Sequence, residues 1–515
     1  MSAKVYRLPS QAAPHRRQWD AAKIGPLTAD WPSYSLPIDS DIRYALRTIR
    51  SRCRNLAQNS DHAKGFLRIV RNNIVGAQGY VLQSRAMTAG GKPDLKARQA
   101  HEAEWRAWGQ KGNCEVTGKF SWKSLCRHAI ETAARDGESF IRILRPWPNR
   151  WGMTLQVVDA EAVDVMYSGE HQGHEVRMGV ELDAWRRPVA YHILAEPTIM
   201  QSSYRTSGDR FRVPAEEMLH VFLPEFSHQT RGVPWLAVAA GRLRMIQGAE
   251  DAELTASRAS AAKFAAYEAH EWAPPEFQPD PSLLDQYGKP LSADPGAFQQ
   301  EMAPGSMEVV PRGYALKMID PQHPNTAMPG FLKWGLRSVS TGMGVSYNTL
   351  GNDAEGVNYT SLRFFLGVER DHWMEMQDWF QDDFPEPIRQ VWTRDQVAYG
   401  NLLSRPGREG QWDEVYWQPR RWDGPDPMKQ AEADQKELEI GAATLHQVLA
   451  RKGLDFDDTI AERIQELASV KALAEAAGLA LADVLPYLTG GKVPPAQTKQ
   501  KAKPEDGEED TNESD

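Results

Sequence analysis

The sequence predicts an α+β protein on three observations. Helical periodicity dominates residues 40–135, short β-type runs fill 138–223, and an alanine-rich stretch without proline covers 236–270. At roughly 100–200 residues per domain, 515 residues allow three or four domains and a substantial core. With 41% hydrophobic and 25% charged residues, the composition is that of a soluble globular protein. No apolar run approaches the ~20 residues of a membrane-spanning helix. Residues 1–20 lack the apolar core of a secretory signal, so the chain is expected to stay in the cytosol. Cys53, Cys114 and Cys126 form no C-x-x-C pair and are expected to be free, buried thiols.

Residues 1–35 and 489–515 carry no sustained period and read as mobile tails, the second ending in a strongly acidic run. The first helix sets Ile42, Leu46, Ile49 and Leu56 on one side, with Arg43, Arg47, Arg50, Arg52 and Arg54 recurring partly at helical spacing. Strands are expected at 139–144, 155–158, 189–194 and 218–222, separated by Pro, Gly or Asp. The 236–270 stretch then reads as one continuous helix, including Phe264 and Tyr267, about 50 Å long. Twelve of its 35 residues are Ala, which suits close packing against other helices. A hairpin is expected between 306–310 and 315–319, inside a Pro-rich insert at 271–325. A second helix runs from about Pro329 to Met343, and a Gly- and Asn-rich polar loop follows over 345–358. Asn358 can cap a third helix, with Leu362, Phe365, Leu366, Trp373, Met376 and Phe380 as one apolar stripe. Asp371, Glu375, Asp378 and Asp382 align on the same helix and must be solvated or matched by a basic neighbour. Residues 428–488 are almost wholly helical in pattern.

The net charge of −9 conceals a division. Residues 1–150 hold 26 Lys and Arg against 12 Asp and Glu, whereas 151–425 hold 24 against 38. A basic portion beside an acidic one fits a nucleic-acid face, complementary subunit surfaces, or solvated exteriors of opposite sign. No P-loop, H-E-x-x-H or G-x-S-x-G pattern occurs, so no phosphate cradle, helix-borne zinc pair or nucleophile elbow is indicated. Catalytic, cofactor and metal residues are therefore assigned to none. The carboxylates Glu250, Asp251 and Glu253, or Asp353 and Glu355, could serve acid–base or magnesium chemistry, yet such groupings are common on helices and loops.

Five segments in this order resemble the lambda-like family of tailed-bacteriophage portal proteins. They are RIVRNNIVGAQGYVLQ (68–83), the Trp105/Trp108 region with FSWKSLCRHAIETAARDGESFIRIL (120–144), RGVPWLAVAAGRLRMIQGAEDAELTASRASAA (231–262), GVNYTSLRFFLGVERDHW (356–373) and the helical segment 426–455. The resemblance implies a portal fold: an α+β wing from 36–230 and 359–425, stem helices at 231–270 and 326–343, a small β-containing clip at 271–325, a tunnel loop at 344–358 and a helical crown at 426–488. It implies no enzyme and no cofactor. It implies a homo-oligomeric ring, typically of twelve subunits, at one capsid vertex of the virion, assembled in the host cytoplasm. Double-stranded DNA would pass through it without sequence specificity. The partners implied are terminase, the major capsid protein and a head–tail adaptor, with no membrane. Tyr347, Asn348, Asn352, Asp353, Glu355 and Asn358 would be the DNA-facing loop residues, and Glu250, Asp251 and Glu253 the stem candidates facing the channel. The competing expectation is a metal-dependent DNA-processing enzyme of the packaging machinery. A third is a cytosolic scaffold without a channel.

Overall fold

A computed structural model describes residues 35–476 except 89, 92, 196–209, 262–263, 270–313, 320–326, 354, 356–357, 404–409, 423–426, 453 and 455, together with residues 26, 32 and 478. The chain divides into two units, the first ending at Arg420. The first unit opens with α1 (Ile38–Asn59) and α2 (Asp61–Ile74), separated by Ser60, whose hydroxyl accepts from the Ala63 amide at 3.4 Å to cap α2. The apolar side of α1 is buried at Ile42, Leu46 and Leu56, as its spacing predicts. β1 (Val81–Ser84), α3 (Leu95–Trp108) and α4 (Trp122–Asp136) follow. Ser121 and Ser124 form a reciprocal capping box on α4, which Gly137 ends in the left-handed region at φ 92°.

The next stretch carries β2 (Ser139–Leu144), β3 (Thr154–Val158), β4 (Gly169–His171), β5 (His174–Arg177), β6 (Val180–Leu182), β7 (Pro188–Leu194), β8 (Arg210–Pro214) and β9 (Met218–Val221). They form a three-stranded sheet in the order β3-β2-β9 and a five-stranded antiparallel meander from β4 to β8. Phe140, Val180, Tyr191, Val213 and Met218 join the two sheets in one buried cluster.

α5 (Ala237–Ala261) comes next, then β10 (Phe264–Ala269) and β11 (Tyr314–Ile319), which pair antiparallel with Phe264 opposite Ile319. This corrects two expectations. The long helix stops at Ala261, and Phe264 and Tyr267 belong to a strand. The partner of 314–319 is that strand, and the expected partner 306–310 lies outside the described residues. Alanine favours a helix only weakly when a neighbouring chain segment supplies a full hydrogen-bond ladder.

α6 (Met328–Gly342), α7 (Tyr347–Gly351), α8 (Tyr359–Asp383) and α9 (Pro385–Ala398) lead to β12 (Val415–Gln418), which pairs antiparallel with β1. The end of the first unit thus returns to its beginning. Trp105 sits at the centre of the resulting core, with Trp108, Trp122, Trp392 and Trp417 at ring-centroid distances of 4.9, 5.0, 5.1 and 5.8 Å. All five indoles are buried, and their tilted and edge-on contacts suit the ring quadrupoles. The predicted stripe of α8 splits: Trp373, Met376 and Phe380 are buried, while Phe365 is 52% exposed beside exposed Phe364 and Val368. The Leu362 side chain lies outside the described residues. All three cysteines are free and buried.

The second unit contains α10 (Pro427–Glu439), α11 (Leu445–Arg451) and α12 (Phe456–Ala476). Lys452 pairs with Asp434 at 3.1 Å, and Arg451 with Glu437 at 2.5 Å, tying the end of α11 back to α10.

Candidate functional site

The polar loop predicted between the second and third helices contains a helical turn. Gly344 reverses the chain at φ 69°, the Ser346 hydroxyl accepts from the Thr349 amide at 3.2 Å to cap α7, and Asn352 ends it at φ 49°. Glu369, buried on α8, accepts from the Ser346 amide (3.3 Å), the Thr349 hydroxyl (2.9 Å) and the Trp373 indole (3.2 Å). One carboxylate therefore staples the loop to the long helix.

Three of the six predicted loop residues, Tyr347, Asp353 and Asn358, already have partners within the subunit. Asp353 accepts from the Glu355 amide (2.9 Å) and the Tyr347 hydroxyl (2.8 Å), and it pairs with Lys333 on α6 (3.1 Å). These donors hold its pKa at about 2. Partial burial and that same bond to Asp353 push the Tyr347 phenol up, and Arg337 and Lys333 lie over its ring at 5.5 and 5.7 Å. Asn358 caps α8, accepting from the Thr360 amide at 3.1 Å, as its position predicts. Asn352, Glu355 and Asn358 are exposed. Asn348 lines an open cleft of about 820 Å³, with Arg337, Tyr347, Phe365, Val368 and His372. The outward surface of the loop thus offers the amides of Asn352 and Asn358 and the Glu355 carboxylate, while Asp353 is taken up by Lys333 of α6.

The three stem candidates do not share a face. Glu250 looks toward α2, 3.9 Å from His62, and Glu253, one turn on, is half-buried. Asp251 is exposed. Beside it runs an exposed stripe, Gly241, Met245, Gly248, Ala252 and Thr255, at i, i+4, i+7, i+11 and i+14. A Cβ added at Gly241 or Gly248 would meet nothing within 4 Å. On its inner side α5 packs on α6, where Gly335 approaches Ile246 and Arg242 donates to Ser338.

Sequence reasoning missed a buried ionic node that fixes where α5 starts. Glu138, fully buried, receives Arg50 (2.7 Å), Arg231 (2.9 Å to each oxygen), the Gly232 amide (3.1 Å) and the His220 imidazole (2.9 Å). Burial alone would raise its pKa, but Arg231, His220 and Arg50 outweigh burial and hold it well below the carboxylate range. Arg231 also donates to the Val163 and Ala160 carbonyls, both at 3.2 Å. Beside the node Gly137 and Gly232 meet backbone to backbone, so that a Cβ on Gly232 would lie 2.0 Å from the Gly137 oxygen. Two segments quoted above, around DGES and RGVPW, are the two halves of this joint. The available signal was a Gly beside a charge in each, next to apolar strand and helix sequence.

Among the described residues no group of three or more His, Cys, Asp or Glu could hold a metal ion, and no helix is long and apolar enough to cross a membrane. Residues 25–377 match the model of the family described as phage portal protein, lambda family. The probable portal protein of Halomonas phage phiHAP-1 is 32% identical over 461 residues, covering 89% of this chain and 87% of that protein. Among solved structures, the neck of a native GTA particle computed with C12 symmetry is 14% identical, covering 82% of this chain and 95% of that one, at a TM-score of 0.39. The neck of an empty GTA particle computed with C6 symmetry reaches 0.41 at 14% identity, covering 83% and 97%. Likeness at that level adds nothing to the assignment, which rests on the family match and the phage relative. By those two, this chain belongs to the lambda family of phage portal proteins, a structural and non-enzymatic family, and serves as a portal.

Proposed function

We propose that copies of the chain stand side by side in a closed ring at one capsid vertex, and that duplex DNA enters and leaves through its centre. The observation that carries this reading is the glycine-bearing stripe of α5. A glycine in a helix interior costs about 1 kcal/mol relative to alanine, and nothing among the described residues needs Gly241 or Gly248 to be small. A neighbouring backbone does, if helices pack closely around a ring. In this reading α5 and α6 are the stem and 344–358 the tunnel loop. Residues 36–230 and 359–425 form the wing and 426–488 the crown. The clip, 271–325, falls mostly outside the described residues. It would meet terminase during packaging and a head–tail adaptor afterwards, while the wing would meet the major capsid protein. Assembly would take place in the host cytoplasm.

Within the ring, Asp251, Glu355 and the amides of Asn348, Asn352 and Asn358 are the groups offered to DNA. A carboxylate repels phosphate and neutral amides touch it weakly, so the duplex slides, whereas exposed Lys and Arg would hold it. The test is packaging by particles carrying Asp251→Lys, with Glu250→Lys and Glu253→Lys as companions. Ring yield should persist while DNA packaged falls by about tenfold for Asp251→Lys, each added cation strengthening phosphate contact. Unchanged packaging would remove Asp251 from the channel wall.

A further inference from the structure

The acidic row of α8 is left without a partner inside the subunit. Asp371, Glu375, Asp378 and Asp382 are all exposed, and none has a cationic partner among the described residues. Aligned like charges at this spacing repel one another. Met374 lies within the row, one turn from both Asp371 and Asp378, and is itself 36% exposed. Met374 thus gives the acidic row one apolar, polarisable contact point.

The complementary shape stands on the hairpin tip between β6 and β7. Trp185 is 84% exposed there, followed by Arg186 and Arg187, also exposed and without carboxylate partners among the described residues. The tip is built to hold this pose. The Asp183 carboxylate accepts from the Trp185 and Arg187 amides, both at 2.8 Å, the Arg186 amide donates to the Asp183 carbonyl at 3.0 Å, and Arg186 takes φ 65°. A Trp followed by two Arg is the composition of an interface anchor, and the backbone that presents them is already ordered before binding.

We propose that the tip at residues 183–187 of one copy docks on the acidic row of the next, Trp185 resting on Met374 and the two guanidiniums on the flanking carboxylates. The inference rests on the ring reading above and names one of its subunit contacts. Charge complementarity selects the occupant: the same chain carries an unpaired basic-aromatic knob and an unpaired acidic seat. The row extends about 16 Å along the helix, enough for both arginines. Because the two surfaces differ, the contact is head-to-tail, the kind that closes a ring. Bidentate arginine–carboxylate bonds would give it its salt sensitivity.

The test uses the full-length chain and mass photometry across a sodium chloride series. The variants are Arg186→Glu/Arg187→Glu, Glu375→Arg/Asp378→Arg, the two combined, and Trp185→Ala. Each reversal alone should lower the ring-to-monomer ratio at a given salt by about tenfold or more, with monomer melting unchanged because all these positions are exposed. The combined variant should recover most of that loss, and Trp185→Ala should weaken rings at all salt concentrations. Reversed variants whose rings resist salt as the wild type does would overturn the contact and leave the ring reading intact. So would a combined variant no better than either parent. A wild-type chain that forms no ring in any condition would overturn both.

Discussion

Two glycines and one carboxylate decide more of this structure than their size suggests. At Gly232 an added Cβ would stand 2.0 Å from the Gly137 oxygen, inside any tolerable contact, and neither partner is a flexible side chain. Gly232→Ala should therefore cost about 3 kcal/mol or more, read as a lowered urea midpoint at unchanged slope. Glu138→Gln leaves Arg50 and Arg231 buried with half their counter-charge removed, and breaking such a group costs about 3–5 kcal/mol. A variant within 0.5 kcal/mol of wild type would contradict that role. The node could not be read from the sequence, because Arg50 and Arg231 reach Glu138 across 88 and 93 residues and no local pattern records the pairing. His101 supplies a pH handle. Burial, with Arg389 nearby, lowers its pKa to about 3 from an ordinary 6.5, and it sits between the Ser84 and Thr393 hydroxyls at 3.2 and 3.3 Å. The folded state binds its proton less tightly than the unfolded chain, so its contribution is complete above pH 6.5 and is lost as pH falls toward 3. His101→Gln should flatten the stability–pH slope in that window by up to one proton. An unchanged slope would show that other groups carry it.

At the scale of elements, helices and strands with a one-sided pattern were legible and those completed by distant partners were not. The 139–144 run is a strand over the same six residues, because its apolar stretch is bounded by Gly137 and Pro146. The α8 start at Asn358 followed from the capping chemistry of an Asn side chain. The end of α5 escapes the sequence because β10 finds its ladder some 50 residues on, in β11, and Phe264 and Tyr267, three residues apart among alanines, carry a helical spacing with no strand alternation. The loop at 345–358 was read as irregular because five-residue α7 depends on Glu369 from another helix. Of the site itself, the loop residues were found but their duties were not: Tyr347 and Asp353 bond each other. The exposed stripe of α5 yields a prediction of its own. Gly248→Ala adds only a Cβ, which meets no described atom within 4 Å, so monomer stability should hold or rise by up to about 1 kcal/mol while ring yield drops. Equal yields of ring would place that face away from any neighbour.

The whole molecule is a balance between charge kept inside and charge left outside. The basic first portion left a nucleic-acid face, a subunit surface and a solvated exterior open in the sequence, and the structure adds a further use: Arg50, Arg54, Arg71 and Arg135 all pair with carboxylates of the same subunit. Those pairings could not be anticipated from a count of charges. What remains outside includes the acidic row of α8, the exposed Arg186 and Arg187, and the glycine-bearing face of α5, surfaces suited to meeting other copies, while Asp251 and the loop are left to face DNA. The most direct test is the mass distribution of purified full-length chain, with negative-stain class averages of the same sample. The account predicts closed rings of many identical copies, viewed end-on with a central hole at least about 20 Å across, the width a duplex needs from its groove dimensions. Monomers or dimers under every condition tried, or particles with no hole, would contradict it.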